Sequence, residues 1–283
     1  MSAIPSTAET IAKSVRIPPR PEALVLFRQE MASASPNFNK LAAAVSSDVS
    51  LSGAVLQIIN SPAFGARGKV TSISHACNML GLVRVEKIVQ AVALRGALSK
   101  GVSLDRFWDS ANEIANLSRI LAQKLSGIPA DDAYTLGLFH DCGIPLLLQH
   151  FPDYKQTLIE TNRTNILPAT LLEDERFGVN HTQVGHEVAL QWFLPETIAE
   201  AILYHHQDLA EQDGDDPQND QVYSLIAILK MAEFISATLR KAWRNDDSHE
   251  WNLIGARVLQ VMGIDEDDFT EICGEVMEDF RGS

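Results

Sequence analysis

Residues 82–98, LVRVEKIVQAVALRGAL, decide the fold class. Their apolar residues Leu82, Val85, Ile88, Val89 and Val92 recur at steps of three and four, the spacing that lines one face of an α-helix. Two further stripes repeat the pattern. One runs through Trp108, Ala111, Ile114, Ala115, Leu121 and Leu125, the other through Val222, Leu225, Ile226, Leu229, Ser236, Leu239 and Trp243. Boundary signals agree. Ser47-Asp48 can cap a helix running to about Ile59, Asn60-Ser61-Pro62 stops it, and Pro195 opens another before Glu196. Alternating apolar and polar runs flanked by hairpin turns are missing. The reading is an all-α protein with roughly a dozen helices.

The chain has 283 residues, 46% hydrophobic and 21% charged, the composition of an ordinary globular protein. Lysine and arginine total 23 against 37 aspartates and glutamates, a net charge of −14. Such an acidic chain is not expected to bind nucleic acid directly. The charge is uneven: residues 1–100 hold 5 acidic and 11 basic residues, whereas residues 101–283 hold 32 and 12. That asymmetry suggests two lobes joined at the short polar stretch Ser99–Ser103. The expected division is a flexible segment 1–15, an N-terminal lobe 16–100 and a second lobe 104–283, with a solvated acidic loop near 211–220. Three widely spaced cysteines, Cys77, Cys142 and Cys273, build neither a disulfide framework nor a CxxC zinc site, which fits a reducing cytoplasm. Neither a signal-peptide core nor a membrane-length apolar run is expected; the nearest, Ile88–Leu98, contains Gln90 and Arg95.

The informative residues are polar ones on apolar helix faces. His181 shares a face with Val184, Gly185, Val188 and Trp192, while His186 points away. His205 lies near the centre of the face made by Ile198, Ala201 and Ile202, with His206 at its edge, and Glu233 lies between Leu229 and Ser236. His140-Asp141 sits in the apolar run YTLGLFHDCG, and Gly143 and Pro145 end the helix behind it, presenting both side chains at a helix terminus. Imidazoles and carboxylates directed into a core need pairing, hydrogen bonds or a metal. Glu233 could pair with Lys230 or Arg240, and the histidines could form only a hydrogen-bonded network. Converging from separate helices, they also suit the way all-α proteins build metal sites.

Residues 18–100 resemble the N-terminal part of HDOD (HD-related output) domains, through Pro18–Pro21, Ser47–Ser52, Gln57–Gly65, Val70–Ala76 and Leu80–Leu82. Residues 107–240 resemble the HD-type helical core that follows, through Phe107-Trp108, Gly137–Gly143, His181, Val184-Gly185, Trp192, Leu194-Pro195, His205-His206 and Ala232-Glu233. The resemblance implies two helical lobes, the HDOD lobe packed on the HD-like core. HD-superfamily phosphohydrolases hold divalent metal with histidines and carboxylates. By that resemblance the metal residues are His140, Asp141, His181, His205, His206 and Glu233, with His140 and Asp141 the candidates for catalysis. An iron, manganese, zinc or nickel ion suits such donors.

Two positions depart from the hydrolase pattern. Ser110 stands where an early ligand histidine is expected, and Glu233 replaces an aspartate, moving its carboxylate by about 1.5 Å, one C–C bond. Ile144 also replaces the lysine that follows the HDxG motif in HD-GYP enzymes. The resemblance therefore implies a stand-alone signalling protein with a degenerate HD metal site, at partial or no occupancy. It would act on an unknown signalling protein or a small anionic ligand such as a nucleotide, held between a basic and an acidic lobe. The alternative it implies is a metal-dependent phosphohydrolase with a reduced ligand set. In that reading Asp141, His140, His181 and His205 bind metal, Glu233 completes the set, and His206 binds a second ion or orients phosphate.

Overall fold

In the computed structural model, residues 15–60, 69–99, 104–125, 127–164, 169–207, 217–241 and 249–282 are described. Residues 1–14 of the expected flexible segment, 100–103 of the expected join and 211–216 of the expected acidic loop lie outside them, as do Trp243 and the motif residues 61–68. The described residues form fifteen α-helices and no strand. The sequence suggested about a dozen; several of the fifteen are short helices of seven to eleven residues, and Gly81 alone separates two helices. By contact the chain divides into two units, Pro18–Gly101 and Val102–Gly282, the latter including the described residues before Pro18.

The first unit contains α1 (Glu22–Met31), α2 (Phe38–Ser46), α3 (Val49–Ile59), α4 (Ile73–Leu80) and α5 (Leu82–Leu98). Small polar side chains set its helix starts. Asn37 accepts from the backbone N–H of Asn39 and Lys40, Asp48 from Leu51, and Ser72 from His75. Gly81, with φ of 80°, turns α4 directly into α5. Asn60 then clasps the backbone of Val70, donating to its carbonyl and accepting from its N–H, both at 2.8 Å. Leu24, Phe27, Leu41, Val45, Val55, Ile59, Val85 and Val89 are fully buried. Each such Leu, Val, Ile or Phe contributes roughly 1.5–3 kcal/mol relative to exposure.

The second unit contains α6 (Asp105–Lys124), α7 (Ala130–Phe139), α8 (Ile144–His150), α9 (Tyr154–Thr164), α10 (Ala169–Phe177), α11 (His181–Gln191), α12 (Glu196–Tyr204), α13 (Pro217–Lys241), α14 (His249–Met262) and α15 (Glu266–Gly282). The two long helices α6 and α13 pack on each other, and α7 lies against both. Gly137 permits the approach of α7, because a β-carbon there would stand 2.7 Å from the Cα of Ala115 on α6. Phe234, Trp251 and Phe269 stack with centroids 4.6–5.6 Å apart and tie α13 to α14 and α15. Asp220–Arg240, within α13, corrects one expectation: it is long and apolar enough to cross a membrane. The sequence reading missed it because Lys230 and Glu233 interrupt the run. Of its 18-residue apolar window 61% is buried inside the protein, as in the central helix of a core.

Candidate metal centre

All the elements that build the centre belong to the second unit. Helix α7 ends at Phe139, His140 is its capping residue, and Asp141–Gly143 turn the chain into α8. That turn rests on the start of α11. A β-carbon at Gly143 would lie 2.1 Å from the carbonyl oxygen of His181, so only glycine lets the two segments touch. His181 is the first residue of α11, held by a capping box: Asn180 accepts from the Gln183 N–H while the Gln183 side chain accepts from the Asn180 N–H. At the far end of α11 the backbone of Phe193 turns left-handed, with φ of 62°, and the Leu194 N–H returns to the Ala189 carbonyl. This delivers Pro195 as the cap of α12. Helix α12 stops at Tyr204, one correction to the sequence reading, which placed His205 within the helix. His205 is instead the capping residue, and His206 follows in the turn.

These segments bring Asp141, His181, His205 and His206 together, with one donor atom from each no more than 4.8 Å from the others. Asp141 is central. Its Oδ1 lies 3.4 Å from His181 Nε2 and 3.6 Å from His205 Nε2, and its Oδ2 lies 3.3 Å from His140 Nε2. His140, His181 and His205 are buried, whereas the Asp141 side chain remains 29% exposed and opens the cluster to solvent.

Partners on the opposite ring nitrogens orient the imidazoles. His140 Nδ1 is 2.9 Å from the Gly137 carbonyl and His205 Nδ1 is 2.8 Å from that of Ile202. A carbonyl only accepts, so each Nδ1 carries the proton and Nε2 faces the cluster. For His181 the partner is Glu173, whose Oε2 takes the backbone N–H at 2.9 Å and lies 2.8 Å from Nδ1. Tyr154 donates to the other Glu173 oxygen at 2.6 Å. His181 Nε2, His205 Nε2 and His206 Nδ1 are buried and make no hydrogen bond. Two of them, on His181 and His205, face Asp141 Oδ1, and bare ring nitrogens beside a carboxylate oxygen repel it unless a proton or a cation lies between them.

Without a cation, protons fill part of that role. Burial disfavours a charged His140, but Asp141 and Glu233 outweigh it and push its pKa up to about 9. His181 is also raised, against its burial, chiefly by Glu173. His205 goes the other way, held well below its ordinary value by burial and by the neighbouring His206. Asp141 stays ionised: burial works against the charge, and His140, His205 and His181 outweigh it. Donors about 2.1 Å from an ion stand roughly 3.4 Å apart around a tetrahedron and ~4.2 Å apart only across it, so this cluster, its donors up to 4.8 Å apart, closes on one with side-chain shifts of up to about an ångström. The residues fit a divalent transition metal.

His140, Glu233 and Ser110 lie outside the four-residue cluster, although His140 Nε2 touches Asp141. Glu233 Oε1 is 3.6 Å from His140 Nε2, and its Oε2 is 3.0 Å from Lys230 Nζ, so it pairs with Lys230 and not with Arg240. The Ser110 hydroxyl accepts from Arg240 Nη2 at 2.8 Å, and Arg240 also reaches Glu113 at 3.3 Å. Sequence reasoning missed Glu173, Tyr154 and Glu250 and gave Lys230 only as a partner for Glu233. Glu173 lies in the polar run Glu173-Asp174-Glu175-Arg176, where nothing in the pattern marks it as 1% exposed.

Fold and cluster together define a helical protein with a cluster of histidines around a carboxylate. The model of the HDOD domain matches residues 17–208, and the chain belongs to the HDOD family. An uncharacterized protein of Treponema pallidum (strain Nichols) is 26% identical over 193 residues, covering 67% of this chain and 37% of that protein. The match thus spans less than two fifths of that relative's length. Two solved structures share the fold. An HDOD domain protein with unknown function from Geobacter sulfurreducens is 20% identical, with a TM-score of 0.72 over 98% of this chain and 96% of that one. A protein named as a candidate phosphohydrolase from Shewanella amazonensis SB2B is 22% identical, with a TM-score of 0.71 over 96% and 94%.

Proposed function

We propose that this HDOD protein is a signalling component of the bacterial cytoplasm whose centre binds a divalent transition metal and, through it, a small anionic ligand, without turnover. The observation that carries the reading is a pair of buried ring nitrogens, Nε2 of His181 and of His205, each ring fixed from behind, that face Asp141 Oδ1 with no hydrogen bond of their own. Asp141, His181, His205 and His206 would hold the ion, which supplies Lewis acidity toward a phosphate or carboxylate oxygen. Among the described residues α6 adds no imidazole to the cluster, and Ser110 is occupied by Arg240, which favours binding over reaction. Three free, buried cysteines suit a reducing compartment.

A metal-dependent phosphohydrolase is the second reading, favoured by the exposed edge of Asp141, where a phosphoryl group could enter. One experiment separates the two. Protein purified without chelator is analysed for metals alongside His181→Ala, and both are assayed on bis(p-nitrophenyl) phosphate. The expected outcome is bound transition metal in the wild type, its loss in the variant, and no turnover in either. Turnover that disappears with chelator would replace the first reading by the second.

A further inference from the structure

Lys230 is 3% exposed, although lysine is almost never buried without partners. Its ammonium lies between two acids, 3.0 Å from Glu233 Oε2 and 2.9 Å from Glu250 Oε1. Each acid reaches on to a histidine of the centre: Glu233 Oε1 is 3.6 Å from His140 Nε2, and Glu250 Oε1 is 3.4 Å from His206 Nδ1. Lys230 touches two carboxylates, and an imidazole stands behind each of them; these are the donor types of a second divalent site beside the first. A lysine held between two carboxylates places a positive charge where a second ion would sit. A second divalent ion would have to share those carboxylates with a fixed positive charge a few ångströms away. Lys230, Glu233 and Glu250 all lie beyond residues 17–208, where the family match ends.

We infer that the Lys230 ammonium holds the place of a second cation, so that the centre takes a single divalent ion, at Asp141, His181, His205 and His206. The inference rests on the metal-binding reading above and adds its stoichiometry. Its test is a manganese count by calorimetric titration and elemental analysis of the full chain, with electron paramagnetic resonance of the bound ion. Wild type and Lys230→Arg are expected to take one Mn²⁺ per chain with an isolated-ion spectrum. Lys230→Met is expected to take two with a spin-coupled spectrum, and to return to one when Glu233→Gln is added. Two ions in the wild type overturn the inference while leaving the metal reading intact, as does a single ion in folded Lys230→Met. Should Lys230→Met fail to fold, Lys230→Gln and the wild-type count carry the same decision. Manganese absent from the wild type overturns the metal reading and this inference together.

Discussion

Glu173 shows how much of a histidine–carboxylate cluster can depend on a residue that never faces it. One of its oxygens takes two N–H groups of His181 and the other takes the Tyr154 hydroxyl, so the carboxylate fixes both the tautomer and the aim of the ring. Glu173→Gln is expected to weaken metal affinity about 10–100-fold and to cost about 1–3 kcal/mol of stability, read by calorimetry and urea unfolding. Burial alone would raise the Glu173 carboxyl; the bonds from His181 and Tyr154 outweigh it and hold it below its ordinary value of 4.5. A carboxyl depressed by folding contributes its stability above the unfolded value and loses it as pH falls through the folded one. The gap between wild type and Glu173→Gln should therefore narrow below about pH 4.5, and a constant gap down to pH 3 would rule the charge out. Sequence could not reveal this residue, because its burial comes from α9 and α11, which packing alone brings to it. His140 and Asp141 were conspicuous for the opposite reason, as polar residues in an apolar run.

At the level of helices, the centre is assembled from ends. Asp141 follows α7, His181 opens α11, and His205-His206 follow α12. Caps and breakers are written locally, so the sequence disclosed two of these segments: Pro195 precedes α12, and Gly143 and Pro145 follow the HD pair, whereas the Asn180 cap before His181 went unread. It erred by continuing α12 through His205, since no glycine or proline marks that stop. Gly143→Ala tests the contact between two of the ends. The glycine has ordinary helical dihedrals, so the added methyl acts only through its clash with the His181 carbonyl. The expected cost is about 1–3 kcal/mol, a fall in Tm of about 2–4 °C per kcal/mol for a unit of this size, with weakened metal uptake. An unchanged thermal scan with unchanged affinity would mean that the segments do not touch.

For the molecule as a whole, charge asymmetry and helical periodicity pointed to an all-α chain with two lobes, and the three cysteines to a protein without disulfides. Cys77, Cys142 and Cys273 are free and buried. Burial raises all three thiols, Cys273 to about 12. The folded chain should resist iodoacetamide at pH 8.5 and react fully once unfolded, as mass spectrometry would show; rapid labelling of the native protein would contradict that burial. Because the unfolded chain ionises its thiols first, near their ordinary value of 9, stability should decline as pH rises past that point. The centre itself draws on turns far apart in the chain, and this bears on synthesis. A nascent polypeptide has nowhere to lodge an ion until α12 has emerged and docked. On the metal-binding reading, capture can begin once His206 is in place, before α13–α15 are complete, and would mark the docking of α7, α11 and α12 rather than a finished fold.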